Sequence, residues 1–257
     1  MKFSANLGFL WADRPLTDAV YAAKQAGFDA VECHWPYDTA PEQLHTALAE
    51  TGLNMLGLNT IRGDVEAGEN GLAALPLKKQ QAKEAIDQAI EYATKIKCHN
   101  IHVMAGFAEG ADAYDCFFEN LDYACAKASL HHQTILIEPL NHYDAPGYFL
   151  NSLPLARKLI SALPHANIKL MFDCYHVQIL HGDVTRQLSG MFDEIGHIQF
   201  ASVPDRGAPD AGELSYSHLF RHISALGYDK PLGAEYKPAG GDTDASLTWL
   251  SHFKSLD

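Results

Sequence analysis

Short apolar runs recur along the chain, and each is followed by a longer stretch whose apolar positions fall at helical spacing. Runs at 3–7, 30–33, 54–59, 100–104, 135–137, 168–173, 197–200 and 232–235 read as strands. Ile135, Leu136 and Ile137 are three branched aliphatics in succession, which is the mark of a strand covered on both faces. Stretches at 16–26, 41–51, 77–95, 111–130, 153–163, 184–192, 215–226 and 245–254 read as helices, with Gly27, Gly52 and Gly227 standing where three of them stop. Eight strand–helix pairs without a break in composition predict an α/β fold, a closed (β/α)8 TIM barrel that takes up residues 1–257 as one domain. A doubly wound open sheet is the competitor, but no G-x-G-x-x-G or Walker turn follows the first strand. The segment 63–71 is long for a connection between short neighbours and reads as a lid over a site.

Composition narrows the classes. With 257 residues, 47% of them hydrophobic, the chain can bury a large core. A formal charge of −13 repels phosphate backbones and anionic membrane surfaces, so neither nucleic acid nor a membrane is expected as a partner. The N-terminus enters a strand without a signal-peptide core, and no apolar run is long enough to span a bilayer, which predicts a cytoplasmic protein. Cys33, Cys98, Cys116, Cys125 and Cys174 are odd in number and form no C-x-x-C pair, so they are expected to be reduced packing residues.

Chemistry enters at the strand ends. The run 135–137 stops at Glu138-Pro139, and a charge at the end of a doubly covered strand needs a cation, a metal or a substrate unless it emerges into solvent. The pattern repeats with Asp173, Gln199 and Glu235 at or near the ends of three later strands. In a barrel of this kind these four side chains converge at one mouth. An oxygen-only set with three carboxylates suits a hard divalent ion, Mg²⁺ or Mn²⁺, rather than zinc or copper. A carboxylate beside such an ion is also the right group to take a proton from a carbon next to a polarised carbonyl. Three carboxylates and one divalent ion leave the site near −1, so an anionic substrate calls for a further cation. Arg206 is the first candidate, since a guanidinium grips a carboxylate bidentately, and Lys237 the second. His102 and His197, inside strands, are read as packed residues, and Glu32 as a supporting carboxylate or a residue of the barrel interior.

Taken in order, Phe3-Ser4-Ala5-Asn6-Leu7, Pro36-Tyr37-Asp38, Gly63-Asp64 with Ala67-Gly68-Glu69, Ile137-Glu138-Pro139 with Asn141-His142, Asp173-x-Tyr175-His176 and Glu235-Tyr236-Lys237-Pro238 give the chain its resemblance to the hydroxypyruvate isomerase family. That family lies within the xylose-isomerase-like barrels, together with ketose 3-epimerases and nucleases of the endonuclease IV type. The resemblance implies that Glu138 and Glu235 are an acid/base pair and metal ligands, and that Asp173 and Gln199 complete the coordination. It also implies that Asp144 and His176 contact substrate hydroxyls. Related epimerases carry a His where Gln199 stands, which places the chain with the isomerases.

The expected activity is the interconversion of hydroxypyruvate and 2-hydroxy-3-oxopropanoate (tartronate semialdehyde) through an enediolate. The alternative is an isomerase of 2-oxo-tetronate, one carbon longer; Gly63-Asp64, His102-Val103-Met104-Ala105-Gly106 and Pro204-Asp205-Arg206 resemble that subgroup. A ketose 3-epimerase or a non-catalytic sugar-acid binding protein ranks below both. Association into a homo-oligomer stays open, as does which glutamate takes the first proton.

Overall fold

A computed structural model describes residues 1–255. The first strand, β1 (Phe3–Asn6), leads into α1 (Leu16–Ala26), β2 (Ala30–Glu32) and α2 (Pro41–Thr51). The third strand position is split into β3 (Asn54–Met55) and β4 (Gly57–Asn59), followed by α3 (Lys79–Ile96), β5 (Asn100–His102) and α4 (Gly110–Ser129). Then come β6 (Thr134–Ile137), α5 (Leu153–Ala162), β7 (Ile168–Asp173), α6 (Cys174–Leu180) and α7 (Val184–Met191). The chain continues with β8 (Ile195–Phe200), α8 (Tyr216–Ala225), β9 (Leu232–Ala234) and α9 (Thr248–Lys254).

Every strand pairing in the sheet is parallel, in the order β3-β2-β1-β9-β8-β7-β6-β5-β4. Because β3 and β4 are two halves of one strand interrupted at Leu56, the two ends of that order meet. The Leu56 amide donates to the Val31 carbonyl at 2.7 Å, Cys33 to Gly57 at 3.1 Å and Asn59 to His34 at 2.8 Å, while Gly57, Leu58 and Asn59 register against β5. The expected eight-position barrel is therefore present, closed across a broken third strand.

Side chains alternate across the barrel wall with the two-residue period of a strand. In β8, Phe200 points outward into an aromatic cluster, where it packs edge-on against Phe3, Phe220 and Trp249 with ring centroids 5.0–5.8 Å apart. His197 and Gln199 point inward, where they line a small internal cavity with Asn6, Glu32, Asn59 and His102. The shell around Phe200 is thus apolar, while at this level the barrel interior mixes these polar side chains with Leu58, Leu136 and Met171.

One local reading changes. The residues after Asp173 form a helix, α6, because the Asp173 carboxylate caps it by accepting from the Tyr175 amide at 2.9 Å. The segment 63–71 is ordered by its own side chains: Glu69 accepts from the Asp64 amide and pairs with Lys78, and Asp64 accepts from the Ala67 amide. All five cysteines are buried and free. Among the described residues no helix is long and apolar enough to cross a membrane.

Candidate functional site

The four oxygen-bearing residues come from the C-terminal ends of β6, β7, β8 and β9. Asp173 is the last residue of β7 and registers against Gln199 of β8, which in turn registers against Gly233 of β9. Glu138 and Glu235 follow directly after β6 and β9. All four are buried.

Glu138 and Glu235 line one cavity of about 150 Å³, together with Asp144, His176, Arg206 and His34. Their electrostatic situations are opposite. Burial alone would raise the Glu235 carboxyl, but the Arg206 guanidinium and the His34 hydrogen bond outweigh it and pull it down to about 2. Its Oε1 accepts from Asn6 Nδ2 at 2.8 Å and from His34 Nε2 at 2.9 Å, and its Oε2 from Arg206 Nη2 at 2.5 Å. Glu138 is driven the other way, well above the carboxylate range, first by burial and then by the negative charges of Glu235 and Asp173. Its Oε1 has no hydrogen-bond partner. Asp173 rises to about 7 through burial, which Arg206 only partly offsets.

Arg206 holds these charges together. It reaches Asp144 at 3.1 Å, Asp173 at 3.4 Å and Glu235 at 2.5 Å, and it lies between the rings of Phe9 and Tyr175, 5.1 and 4.9 Å from their centroids. Burial opposes its charge, but the surrounding carboxylates prevail and raise its pKa. Lys237 behaves differently. Its side chain is exposed, and its backbone amide donates to the Arg206 carbonyl at 2.7 Å, so it supports Arg206 through the main chain.

His176 sits on the first turn of α6, with Nε2 3.7 Å from Asp173 Oδ2 and 3.9 Å from Glu138 Oε1. One ligand atom from each of Glu138, Asp173 and His176 lies within 4.8 Å of the others, a spacing that could hold a metal ion. Hydrogen bonding decides the role of the histidine. Asn141 Oδ1 accepts from the Tyr143 and Asp144 amides, both at 3.0 Å, which turns its Nδ2 toward His176 Nδ1 at 2.8 Å. The Asn141 backbone amide donates to the same nitrogen at 3.0 Å. Nδ1 is therefore the acceptor, and the hydrogen of the neutral ring sits on Nε2. Burial, reinforced by Arg206, holds the pKa of His176 well below the usual imidazole value, so the ring faces the cavity as a neutral donor. A nitrogen that carries a hydrogen cannot itself ligate a cation.

Gln199 lines the internal cavity rather than the one that holds Glu138 and Glu235. Its Nε2 is 3.5 Å from Glu32 Oε1, and its Oε1 has no partner. Glu32 also accepts from His197 Nε2 at 2.5 Å. The Glu32–His197–Gln199 group fits because position 233 carries no side chain. A Cβ there would lie 2.3 Å from Glu32 Oε1, 2.8 Å from Gln199 Cγ and 2.9 Å from His197 Nε2. Gly233→Ala is expected to cost about 1–3 kcal/mol through overpacking, read from urea unfolding. A variant as stable as the parent would show that this group gives way freely.

His34, Asn6 and Asn141 were not legible as site residues. Asn6 and Glu235 are 229 positions apart, and only barrel closure brings them into contact.

A family model described as a xylose isomerase-like TIM barrel matches residues 20–253. A 2-oxo-tetronate isomerase of Cupriavidus necator is 43% identical over 256 residues, covering 98% of each chain. The hydroxypyruvate isomerase of Escherichia coli is 36% identical over 259 residues, covering 99% of this chain and all of its own. Among solved structures, one from Brucella melitensis titled AP endonuclease, family 2, superposes with a TM-score of 0.94 at 36% identity over 98% of both chains. A D-allulose 3-epimerase of Methylomonas sp. gives 0.82 at 15% identity, over 100% of this chain and 98% of its own, which is a likeness of fold.

Proposed function

We infer, from a chain that belongs to the xylose isomerase-like TIM barrel family, that its cavity carries out aldose–ketose isomerisation of a short 2-oxo acid beside a divalent cation. The observation that carries this reading is the pair Glu138 and Glu235. They are two buried carboxylates in one small cavity, and their surroundings favour the protonated form of one and the ionised form of the other. Two carboxylates facing one cavity are what a proton relay between adjacent carbons requires, one to take the proton and one to return it.

The donor set fits a hard cation. Glu138 Oε1 and Gln199 Oε1 are buried acceptors without partners, and Asp173 and Glu235 lie at the ends of the adjoining strands. When bound, Mg²⁺ or Mn²⁺ would stabilise negative charge on the oxygens of an enediolate. The chain's own groups do the rest. With hydroxypyruvate, one glutamate takes a proton from the hydroxymethyl carbon, a proton is returned at the former carbonyl carbon, and the hydroxyl proton passes from the original hydroxyl oxygen to the former carbonyl oxygen, giving 2-hydroxy-3-oxopropanoate with no net change in composition. His176 Nε2–H donates to a substrate oxygen, and Arg206 supplies the positive charge that an anionic acid needs. The four-carbon 2-oxo-tetronate is the second reading, favoured by the names of the Cupriavidus and Pectobacterium relatives. A nuclease activity is disfavoured by the net charge of −13.

Proton exchange in D₂O tests the activity. Exchange at the carbon beside the carbonyl is expected with three- or four-carbon 2-oxo acids in Mg²⁺ or Mn²⁺, and is expected to disappear in EDTA. No exchange with any of these acids would refute the reading.

The cation also makes a stability prediction. Asp173 is raised from 3.8 to about 7 in the fold, and Glu138 is raised in the same direction. A raised carboxyl favours the fold fully below its unfolded pKa, and this contribution is lost as pH rises through the folded value. The depressed Glu235 loses its contribution only as pH falls toward 2. In EDTA, Tm is therefore expected to fall by several degrees between pH 5.5 and pH 8, and Mn²⁺ is expected to restore more at pH 8 than at pH 5.5. A Tm that does not decline over that range in EDTA would count against the arrangement.

A further inference from the structure

One buried group in the cavity wall has no part in the proton transfer. His102 ends β5, is 3% exposed, and neither of its ring nitrogens has a hydrogen-bond partner. Its Nδ1 stands 3.7 Å from Glu138 Oε2, beyond hydrogen-bond distance. A buried histidine in a packing role normally satisfies its ring nitrogens, and leaving a polar atom unmet costs about 1–3 kcal/mol. The ring borders two spaces, the substrate cavity and a small cavity inside the barrel that Asn6, Glu32, Asn59 and Gln199 line together with Leu58, Leu136 and Met171, and the latter, at about 10 Å³, is at the lower limit for one water. One edge can thus be met from within, while the other faces the ligand.

We propose that His102 is a specificity-determining residue that hydrogen-bonds a hydroxyl of the substrate, the one carried on the carbon beyond the reacting pair in a four-carbon sugar acid. This rests on the isomerase reading and names the substrate class for it. The choice of a hydroxyl follows from matching partners. A buried imidazole with both ring nitrogens unmet presents either an N–H or a lone pair to the cavity. A carboxylate or carbonyl can meet only the N–H, and a cation only the lone pair. A hydroxyl meets whichever nitrogen faces the cavity. Position supplies the rest of the argument: His102 stands beside Glu138 in the wall of the same cavity, and with Glu138 serving the reacting carbon farther from the carboxylate, it meets the group on the next carbon. A three-carbon 2-oxo acid carries nothing there, whereas a four-carbon acid carries a hydroxymethyl group. A site built to bond a hydroxyl discriminates against the analogue that lacks it far more strongly than an apolar pocket can.

The experiment compares the unchanged enzyme with His102→Leu and His102→Asn, in Mn²⁺, on hydroxypyruvate and on 2-oxo-tetronate. In parallel, calorimetry follows binding of the non-reacting acids 2,3,4-trihydroxybutanoate and 2,3-dihydroxypropanoate. His102→Leu is expected to lower kcat/KM for the four-carbon acid about 100-fold, to change the three-carbon value less than about fivefold, and to abolish the binding preference for the four-carbon acid. His102→Asn, which keeps a donor and an acceptor, is expected to recover at least about tenfold of that loss. Tm of the Leu variant is expected to hold or rise, because a buried unmet polar group has been removed. Equal losses on both substrates, no loss, or a fall in Tm without a change in preference would overturn the assignment. Turnover of neither acid by the unchanged enzyme, with the binding preference intact and sensitive to His102, would sink the isomerase reading and leave His102 as a hydroxyl-binding residue. Absence of any binding preference in the unchanged enzyme overturns the His102 proposal whatever the turnover.

Discussion

Glu235→Gln is expected to reduce turnover by about 10²–10⁴-fold while the fold and ligand binding persist. The substitution keeps the shape of the side chain and an oxygen that can still accept from Asn6 and His34, but removes the negative charge that Arg206 compensates. A carboxamide cannot take up a proton at neutral pH, so a loss confined to kcat is the signature of a proton-transfer group. The measurement is D₂O exchange beside calorimetric binding of a 2-oxo acid in Mn²⁺. Retained exchange would remove Glu235 from the relay, and loss of binding together with exchange would assign it to holding the ligand or the cation instead. Glu138→Gln makes a useful contrast, since its parent already favours the uncharged form and the substitution should cost little stability.

Arg206→Met is expected to damage both stability and function. Arg206 pairs with three carboxylates, and its side chain is 11% exposed, so its removal leaves buried negative charge without compensation. Breaking one partner of a buried pair typically costs about 3–5 kcal/mol, which urea unfolding in EDTA would detect. A divalent ion should return part of that loss, because it brings positive charge to the same oxygens. Arg206→Lys is expected to recover some stability but not kcat/KM, since an ammonium cannot reproduce the two-pronged contact or lie between Phe9 and Tyr175. If Arg206→Met unfolds at the same urea concentration as the parent, with and without Mn²⁺, the three acids are not held charged by this guanidinium.

The strands and helices were legible because their signal is local. A branched apolar run such as 135–137 admits few readings, and the glycines after α1 and α2 do lie in left-handed backbone at φ 92° and 68°, where a helix stops. Two details were not legible for the same reason. Residues 54–59 read as one strand because nothing in their side chains marks the interruption at Leu56, which is set by which neighbour each half pairs with. The start of α6 was hidden because the apolar run of β7 continues through it, and the cap comes from Asp173 itself. At the site, Glu138, Asp173, Gln199 and Glu235 could be named from their places at strand ends. The groups that hold them could not. His34 and Asn6 touch Glu235 only through the closed barrel, and the orientation of His176 depends on an amide 35 positions earlier. Lys237 was nominated for its charge, yet its neighbour Tyr236 is the buried member of that pair and turns the lysine outward.

The aromatic cluster joins residues from both extremes of the chain: Phe3 packs on Trp249, 246 positions later, and β1 takes its second neighbour only from β9. During synthesis β1 therefore waits, one flank unpaired, until β9 has left the ribosome. Such distant partnerships slow folding. The window between emergence and closure is then when this protein is most exposed to self-association, and a chaperone that shields the β1 flank would act there.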